Sequence, residues 1–549
     1  MKKDELYMSL LSKYCKQIVH MRQQYNPKVS SLGIVLGSGI NKEIGLPDWN
    51  TLISRIACNN EMPEIIGDNT DNNITNAQLL FQAYKNSKLE KCKEEDKTYN
   101  RIEMRIHSGW KRIIHSALYK DSKPEIREMV PKSHYLWNLV KIVKKIPMTI
   151  NYNFDDTIER LISATRTKEE REENRGYTTL WNQNVHVYPR NSVIYHPNGF
   201  LPYKISEHPS ETIVLLEDSF ADQLIDSMHG RYNILSEYFA QNTCLLIGLS
   251  LNDPTLKHLL RNNAVNNPGM HHYYVKHIRD SKKSRTEKEV VDANFDVYNL
   301  VTMFLTNEEI GALLDLIQMN DEKFGDYLDQ AGISNSSYKY ILVGSVAVGK
   351  STAMSYFHNI ATQDEWIDSM PEDMALDPSE VNDSIIQEID EWVAEQWGKK
   401  NAKLLRAPNG LHIMDRGPLD AFAFTPRNEW KKKADLTKKK ISPGKSKRKL
   451  CSAEIILLVG DPNTMASRAI LNHKTHKAKK LEQQQKLLEY VYNSSQENIR
   501  IIDTRNKGKA QVAKEIARII FLDDYREIPL NDILENVLNG CLSEPVEML

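Results

Sequence analysis

The sequence predicts an α/β protein made of two successive domains, each built around a parallel sheet. Three observations carry this expectation. Apolar runs of strand length alternate with helix-like stretches in two separate series. A polar, turn-rich stretch at 321–339 lies between the series. The first strand of each series runs directly into a glycine-rich turn. The boundary falls near 325–335, giving domains of 1–325 and 326–549.

In the first series, Leu6, Leu10, Leu11, Tyr14, Ile18 and Val19 recur at helical spacing, which predicts a helix over about 4–24. Apolar runs at 32–36, 148–152, 193–195, 213–216, 244–247, 273–275 and 301–305 predict strands. In the second series, strands are expected at 339–343, 410–414, 453–459 and 499–503. Helices are expected at 350–360, 383–398, 463–471 and 510–521. Ile385, Ile389, Trp392 and Val393 share one face of the second of these. No fixed-period repeat is present.

Composition sets limits. The 549 residues predict about two to four domains. Apolar residues make up 40% and charged residues 26%, so global disorder is not expected. The 72 basic and 73 acidic side chains exclude a uniformly basic nucleic-acid coat, although not a local patch. The N-terminal apolar run is short and lacks a cleavage-site pattern, so no signal peptide is expected. No stretch approaches the roughly 20 apolar residues of a membrane span. Cys15, Cys58, Cys92, Cys244, Cys451 and Cys541 are far apart, with no C-x-x-C pair. They read as reduced thiols of a cytoplasmic protein and leave no zinc ribbon.

Gly344-Ser-Val-Ala-Val-Gly349-Lys350-Ser351 fits G-x-x-x-x-G-K-[ST], between an expected strand and an expected helix. In that setting backbone N–H groups curl around phosphate oxygens, with Thr352 continuing into the helix. Lys350 would reach the β- and γ-phosphates, and the Ser351 hydroxyl would ligate Mg²⁺. The ligand expected is ATP or a deoxynucleotide with Mg²⁺. A second signal is Asp415-Arg416, ending an apolar strand, with Asp420 five residues after Asp415. Asp415 would hold Mg²⁺ through water or orient an acceptor; Arg416 would clamp an acceptor phosphate, or the pair forms a structural salt bridge. This pattern resembles the Asp-Arg motif of thymidylate-kinase-like nucleoside and nucleotide kinases, over about 335–525. The resemblance implies a P-loop kinase-type α/β/α domain, with Glu365 as a candidate acceptor-side acid.

Residues 431–450 hold ten Lys or Arg and one Asp. They read either as a solvated loop or as an anion funnel. No aromatic side chain lies in the run to stack bases, so a nucleic-acid partner is not required.

In the first domain, Gly37-Ser38-Gly39-Ile-Asn41 is followed by Gly45-Leu-Pro47. Later come Asn151-Tyr-Asn153-Phe-Asp155-Asp156, Tyr195-His196-Pro-Asn198-Gly199 and Gly248-Leu-Ser250-Leu-Asn-Asp253. In this order, over about 30–315, they resemble the motifs of the sirtuin family, especially zinc-less bacterial sirtuin-like domains. The resemblance implies a Rossmann-like sheet. It assigns NAD contacts to Gly37, Ser38, Gly39, Asn41, Pro47, Gly248, Ser250 and Asp253. Asn153 and Asp155 would engage the nicotinamide ribose and carboxamide. The family's catalytic His position holds Asn198. His196, two residues earlier, would face the same side of a strand and act as general base. Gly248-x-Ser250 is not a nucleophile elbow.

Missing cysteine pairs point away from a protein deacylase. The resemblance implies an antiphage effector that hydrolyses NAD to ADP-ribose and nicotinamide. The C-terminal domain would gate it on binding a nucleotide or a phage-derived trigger, with a second copy or another defence protein as partner. The other readings are a nucleotide kinase with an NAD-binding first domain, and a non-catalytic nucleotide sensor.

Overall fold

Leu32–Leu36 (β1) is buried at every position, as the unbroken apolar run requires of a strand covered on both faces. The computed structural model describes residues 3–63, 72–90, 99–172, 176–181, 191–205, 209–230, 232–279, 287–375, 382–443, 447–471, 477–494 and 499–541. Six further strands join β1: Met148–Asn151 (β2), Tyr177–Leu180 (β3), Ser192–Tyr195 (β4), Thr243–Ile247 (β5), His272–His277 (β6) and Leu300–Leu305 (β7). All pair in parallel, in the order β3-β4-β2-β1-β5-β6-β7. Helices cover both sides. One part of the core gathers Val35, Ile150, Val193, Leu246 and Tyr274 from five of these strands. Helix ends are set locally. Thr306 Oγ1 accepts from Glu309 N, and Glu309 Oε2 accepts from Thr306 N, fixing the start of Asn307–Gln318.

A second parallel sheet is formed by Ser337–Gly344 (β8), Ala361–Gln363 (β9), Gly410–Asp415 (β10), Glu454–Val459 (β11) and Arg500–Asp503 (β12). Its order is β12-β11-β8-β10-β9. Its core includes Ile341, Val343, Met414, Ile455 and Leu457. The chain divides into two compact units. The first comprises residues 1–10, 24–266 and 271–327, and the second 11–23, 267–270 and 328–549.

Both sheets have a point where strand order reverses. In the first, β1 lies between β2 and β5; in the second, β8 lies between β10 and β11. Crossovers leave such a strand on opposite sides, which opens a crevice at its carboxyl end. The two glycine-rich turns follow β1 and β8.

Several elements differ from expectation. Residues 213–216 form no strand: Val214 N bonds Asn198 O, and the helix Glu217–Met228 begins at once. The helix expected over 350–360 is Lys350–Met354, because Tyr356 and Phe357 bond three residues back and tighten the chain into turns. β3 and β9 were not expected; both are short edge strands without a buried run. Much of the basic stretch is helical, Trp430–Ile441, not a loop. Lys433 pairs with Asp390, Lys438 with Glu535 at 2.7 Å and Lys440 with Glu391 at 3.7 Å. These acids neutralise part of the expected anion funnel; residues 444–446 lie outside the described residues. Cys15, Cys58, Cys244, Cys451 and Cys541 are free thiols, and Cys92 lies outside the described residues. Among the described residues, no helix is long and apolar enough to cross a membrane.

Candidate functional site

The reversal in the first sheet gathers polar groups that the apolar strands could not otherwise bury. Asn41 follows β1, Asn151 ends β2, and Asn153 and Asp155 lie just beyond it. His196 and Asn198 follow β4, and Asp253 follows β5. Six of the seven are at most 5% exposed, and Asp253 is half-buried.

Asn41 Nδ2 donates to Asp155 Oδ2 at 2.6 Å. Asp155 Oδ1 accepts from Thr157 N at 3.0 Å. Burial raises Asp155 above the usual carboxylate value, against the hydrogen bonds from Thr157. Asn151 Oδ1 accepts from Asn153 N at 3.2 Å. Among the described residues, the Asn153 Nδ2 amide is buried without a partner, as are Asn41 Oδ1 and Asn151 Nδ2. Unpaired buried amide groups of this kind cost roughly 1–3 kcal/mol each, so they mark a place where a ligand can supply hydrogen-bond partners.

His196 is placed differently from expectation. β4 ends at Tyr195, so His196 and Asn198 do not share a strand face. The His196 Nδ1 donates to the Asn153 carbonyl at 2.7 Å, and Nε2 meets Glu159 Oε1 at 2.8 Å. Burial alone would lower this imidazole's pKa, but the Glu159 charge and the hydrogen bonds outweigh it and raise it. With both nitrogens engaged, the ring has no lone pair turned toward a water. It holds Asn153 in place instead of acting as the expected base. Asn198 Nδ2 donates to Asp253 Oδ2 at 3.2 Å, and its Oδ1 accepts from Gln223 Nε2 at 3.1 Å. Burial raises the Asp253 pKa.

The glycines of the first turn meet protein, not open space. Gly37 N donates to Ile247 O at 3.0 Å, and Gly39 N to Gly248 O at 2.8 Å. A Cβ on Gly37 would come within 2.7 Å of Gly248 O, and one on Gly39 within 2.9 Å of Gly248 Cα. Ser38 is half-buried, Pro47 buried and Ser250 exposed.

The second cluster surrounds the turn after β8. Gly344 and Gly349 have φ of +155° and +109°, and Ala347 sits at +62°. Such alternation curls successive N–H groups inward. A cavity of about 480 Å³ lies over the turn; Gly349, Lys350, Ser351, Thr352, Arg416 and Arg468 are among its walls. Lys350 Nζ donates to the carbonyls of Gly344 and Ser345 at 2.9 and 3.1 Å. Burial holds this ammonium down to about 8, helped by the Arg416 charge and opposed by Asp415. Ser351 Oγ donates to Asp415 Oδ2 at 3.1 Å, while Asp415 Oδ1 is buried without a partner among the described residues. Arg416 Nε lies 2.6 Å from Glu365 Oε1. Thus the loop, Asp415, Arg416 and Glu365 come together. Among the described residues, no group of three His, Cys, Asp or Glu side chains is arranged to hold a metal.

Sequence reasoning missed two residues here. Glu159 closes the motif that begins at Asn151 and sits in the first turn of the helix Thr157–Thr165, but nothing in the spacing gave it a role. Lys400 is fully buried and donates to the carbonyls of Asp364, Glu365 and Asp415 at 2.9, 3.1 and 2.6 Å. One of three lysines near the end of a long helix gives no signal for that role.

Residues 147–298 match the SIR2-like domain family. The matched stretch contains Asn153, Asp155, His196, Asn198, Gly248 and Asp253, but not the turn after β1. No curated protein matches the chain. Among solved structures, a crystal structure of NadR protein in complex with NAD and AMP-PNP is similar at 9% identity, with a TM-score of 0.25. The similarity covers 69% of this chain and 89% of that one. A likeness of that degree says nothing of what this chain binds. The SIR2-like match does make an NAD-related function the expectation for the first unit.

Proposed function

We propose that the first unit binds NAD at the carboxyl ends of β1, β2, β4 and β5 and hydrolyses it to ADP-ribose and nicotinamide. The observation that carries this reading is the Asn153 amide, 5% exposed and unpartnered, at the reversal point and inside the SIR2-like stretch. In hydrolysis the bond between ribose C1′ and the nicotinamide nitrogen breaks, and its electron pair stays on that nitrogen. Water supplies the oxygen that bonds C1′, and one proton is released. Asn153 would hold a ribose hydroxyl or the water. Asp155, kept in orientation by Asn41, would stabilise the positive charge that builds on the ribose. His196 is a positioning residue behind Asn153. The unpaired amides fit ribose and carboxamide groups, whereas the turn glycines are already bonded to Ile247 and Gly248 and form no obvious pyrophosphate cradle.

The second unit is proposed to bind ATP or a deoxynucleotide with Mg²⁺. The inward N–H groups and Lys350 suit phosphate oxygens. Ser351 and Asp415 offer two oxygens, which suits a Mg²⁺ that arrives on a nucleotide better than a dedicated protein site. Nucleotide binding here would gate NAD hydrolysis. That gate, a phage-derived trigger and a defence role rest on the domain pairing and the resemblance alone.

The test is to incubate the full chain with NAD, with and without ATP-Mg²⁺ and deoxynucleotides. Nicotinamide release and phosphoryl transfer are followed separately. Release that is lost in Asn153→Ala supports the reading. One observation favours a second reading, a nucleotide kinase whose first unit only binds NAD: neither His196 nor Asn198 is free to act as a base. Phosphoryl transfer lost in Lys350→Ala, with no nicotinamide release in any condition, would establish it.

A further inference from the structure

A second cavity in the first unit, of about 550 Å³, is walled by the helix Thr157–Thr165, by β3 and by the segment after β4. Asn41, Asn153 and Asp155 are not among its walls. Its size falls within the roughly 300–1,000 Å³ of small-molecule sites. Its most informative wall residue is Glu159, 3% exposed. Oε1 is used, meeting His196 at 2.8 Å and accepting from Thr179 Oγ1 at 3.2 Å. Oε2 is buried and has no hydrogen-bond partner among the described residues. A carboxylate oxygen left in this way needs a donor, and none is offered among the described residues.

The remaining walls specify the ligand's shape. Trp181 and Phe200 stack at 5.6 Å with planes 10° apart, forming a flat aromatic wall. Trp181 is only half-buried and lines the cavity. Tyr203 adds a third aromatic, with the Arg160 guanidinium over it at 4.7 Å. That guanidinium already donates to the carbonyls of Lys123 and Pro124, so it is committed and does not favour a deep phosphate. Asp156, whose carboxyl burial raises to about 7, adds a group that can hold a proton.

We propose that this cavity is a separate ligand site for a flat heteroaromatic ring with an exocyclic amino group, of the aminopurine or aminopyrimidine nucleoside class, whose N–H donates to Glu159 Oε2. Aromatic walls grip the ring face, and the buried acceptor reads the amino group. The site does not depend on the NAD reading.

Adenosine and inosine are the probes, because they match in size but differ by an amino group in place of a carbonyl. Calorimetry on the full chain is expected to show adenosine binding at least 10-fold tighter than inosine. Glu159→Gln should bring the ratio near one or invert it, since its amide would then turn a donor toward the ligand. Trp181→Ala should weaken both ligands and tests the site even where Glu159→Gln fails to fold. Equal affinity for the two probes in the native chain would overturn the proposal. So would no binding at millimolar concentration, adenosine binding untouched by both variants, or binding lost in Asn153→Ala.

Discussion

The imidazole of His196 and the carboxylate of Glu159 meet at 2.8 Å, both almost wholly buried. Because Nδ1 must donate to the Asn153 carbonyl, Nε2 and Glu159 Oε1 hold one proton between them. His196 therefore fixes the backbone of Asn153, and Glu159 fixes His196.

This arrangement predicts a graded loss of NAD cleavage. His196→Asn, whose amide can still donate to the Asn153 carbonyl, should retain more activity than His196→Ala. The shape of the kcat–pH profile should be the same in both variants and in the native chain. An acid limb that vanishes only in the His196 variants would restore the ring as a base.

Asn153→Ala removes the unpartnered amide. Nicotinamide release should fall by roughly 10²–10³-fold, the scale of losing one preorganised donor. Thermal stability should hardly change, because the deleted amide nitrogen bonds nothing among the described residues. A large drop in Tm would show the residue to be structural.

Asp156 and Tyr119 predict a pH dependence of stability. The single Tyr119 hydroxyl proton cannot serve both Asp156 Oδ1 at 3.1 Å and Leu201 O at 2.7 Å. A proton on Asp156 resolves the conflict: it donates to Tyr119, which donates to Leu201. Burial, aided by Glu159, holds this carboxyl at about 7 against an ordinary 3.8. A raised acid pKa means that the folded chain binds the proton more tightly. The stability contribution is therefore full below about pH 4 and is lost as pH rises to about 7, by on the order of 4 kcal/mol. Asp156→Asn, which keeps one donor and one acceptor, should flatten denaturation midpoints measured across that range.

Lys350 predicts proton uptake on ligand binding. Its ammonium is held near 8 by burial and Arg416, and phosphate oxygens would restore the charged form. Calorimetry of ATP-Mg²⁺ binding at pH 8 in buffers of different ionisation enthalpy should show net uptake of a proton fraction. Lys350→Met should abolish that uptake and weaken binding.

Much of the fold was legible because fully buried parallel stretches such as 32–36 and 455–458 announce themselves as unbroken apolar runs. Edge strands carry no such run, so Tyr177–Leu180 and Ala361–Gln363 were missed. Charge patterning misled at 431–441, where lysines read as solvated find acids on distant segments. The site's residue types were legible as motifs, but their bonding was not. His196 looked like a base until its partners, one carbonyl and one helix-borne carboxylate, came into view. Such partners are set by tertiary packing, which spacing along the chain does not encode.

The close approach of the turn after β1 to Gly248 bears on how variants of this protein will be read. A side chain at Gly37 or Gly39 would push two strand-end loops apart before any ligand arrived. An inactive allele at either position would therefore resemble a binding defect in an activity screen, although its origin is a misassembled loop. A melting curve alongside the assay would separate the two.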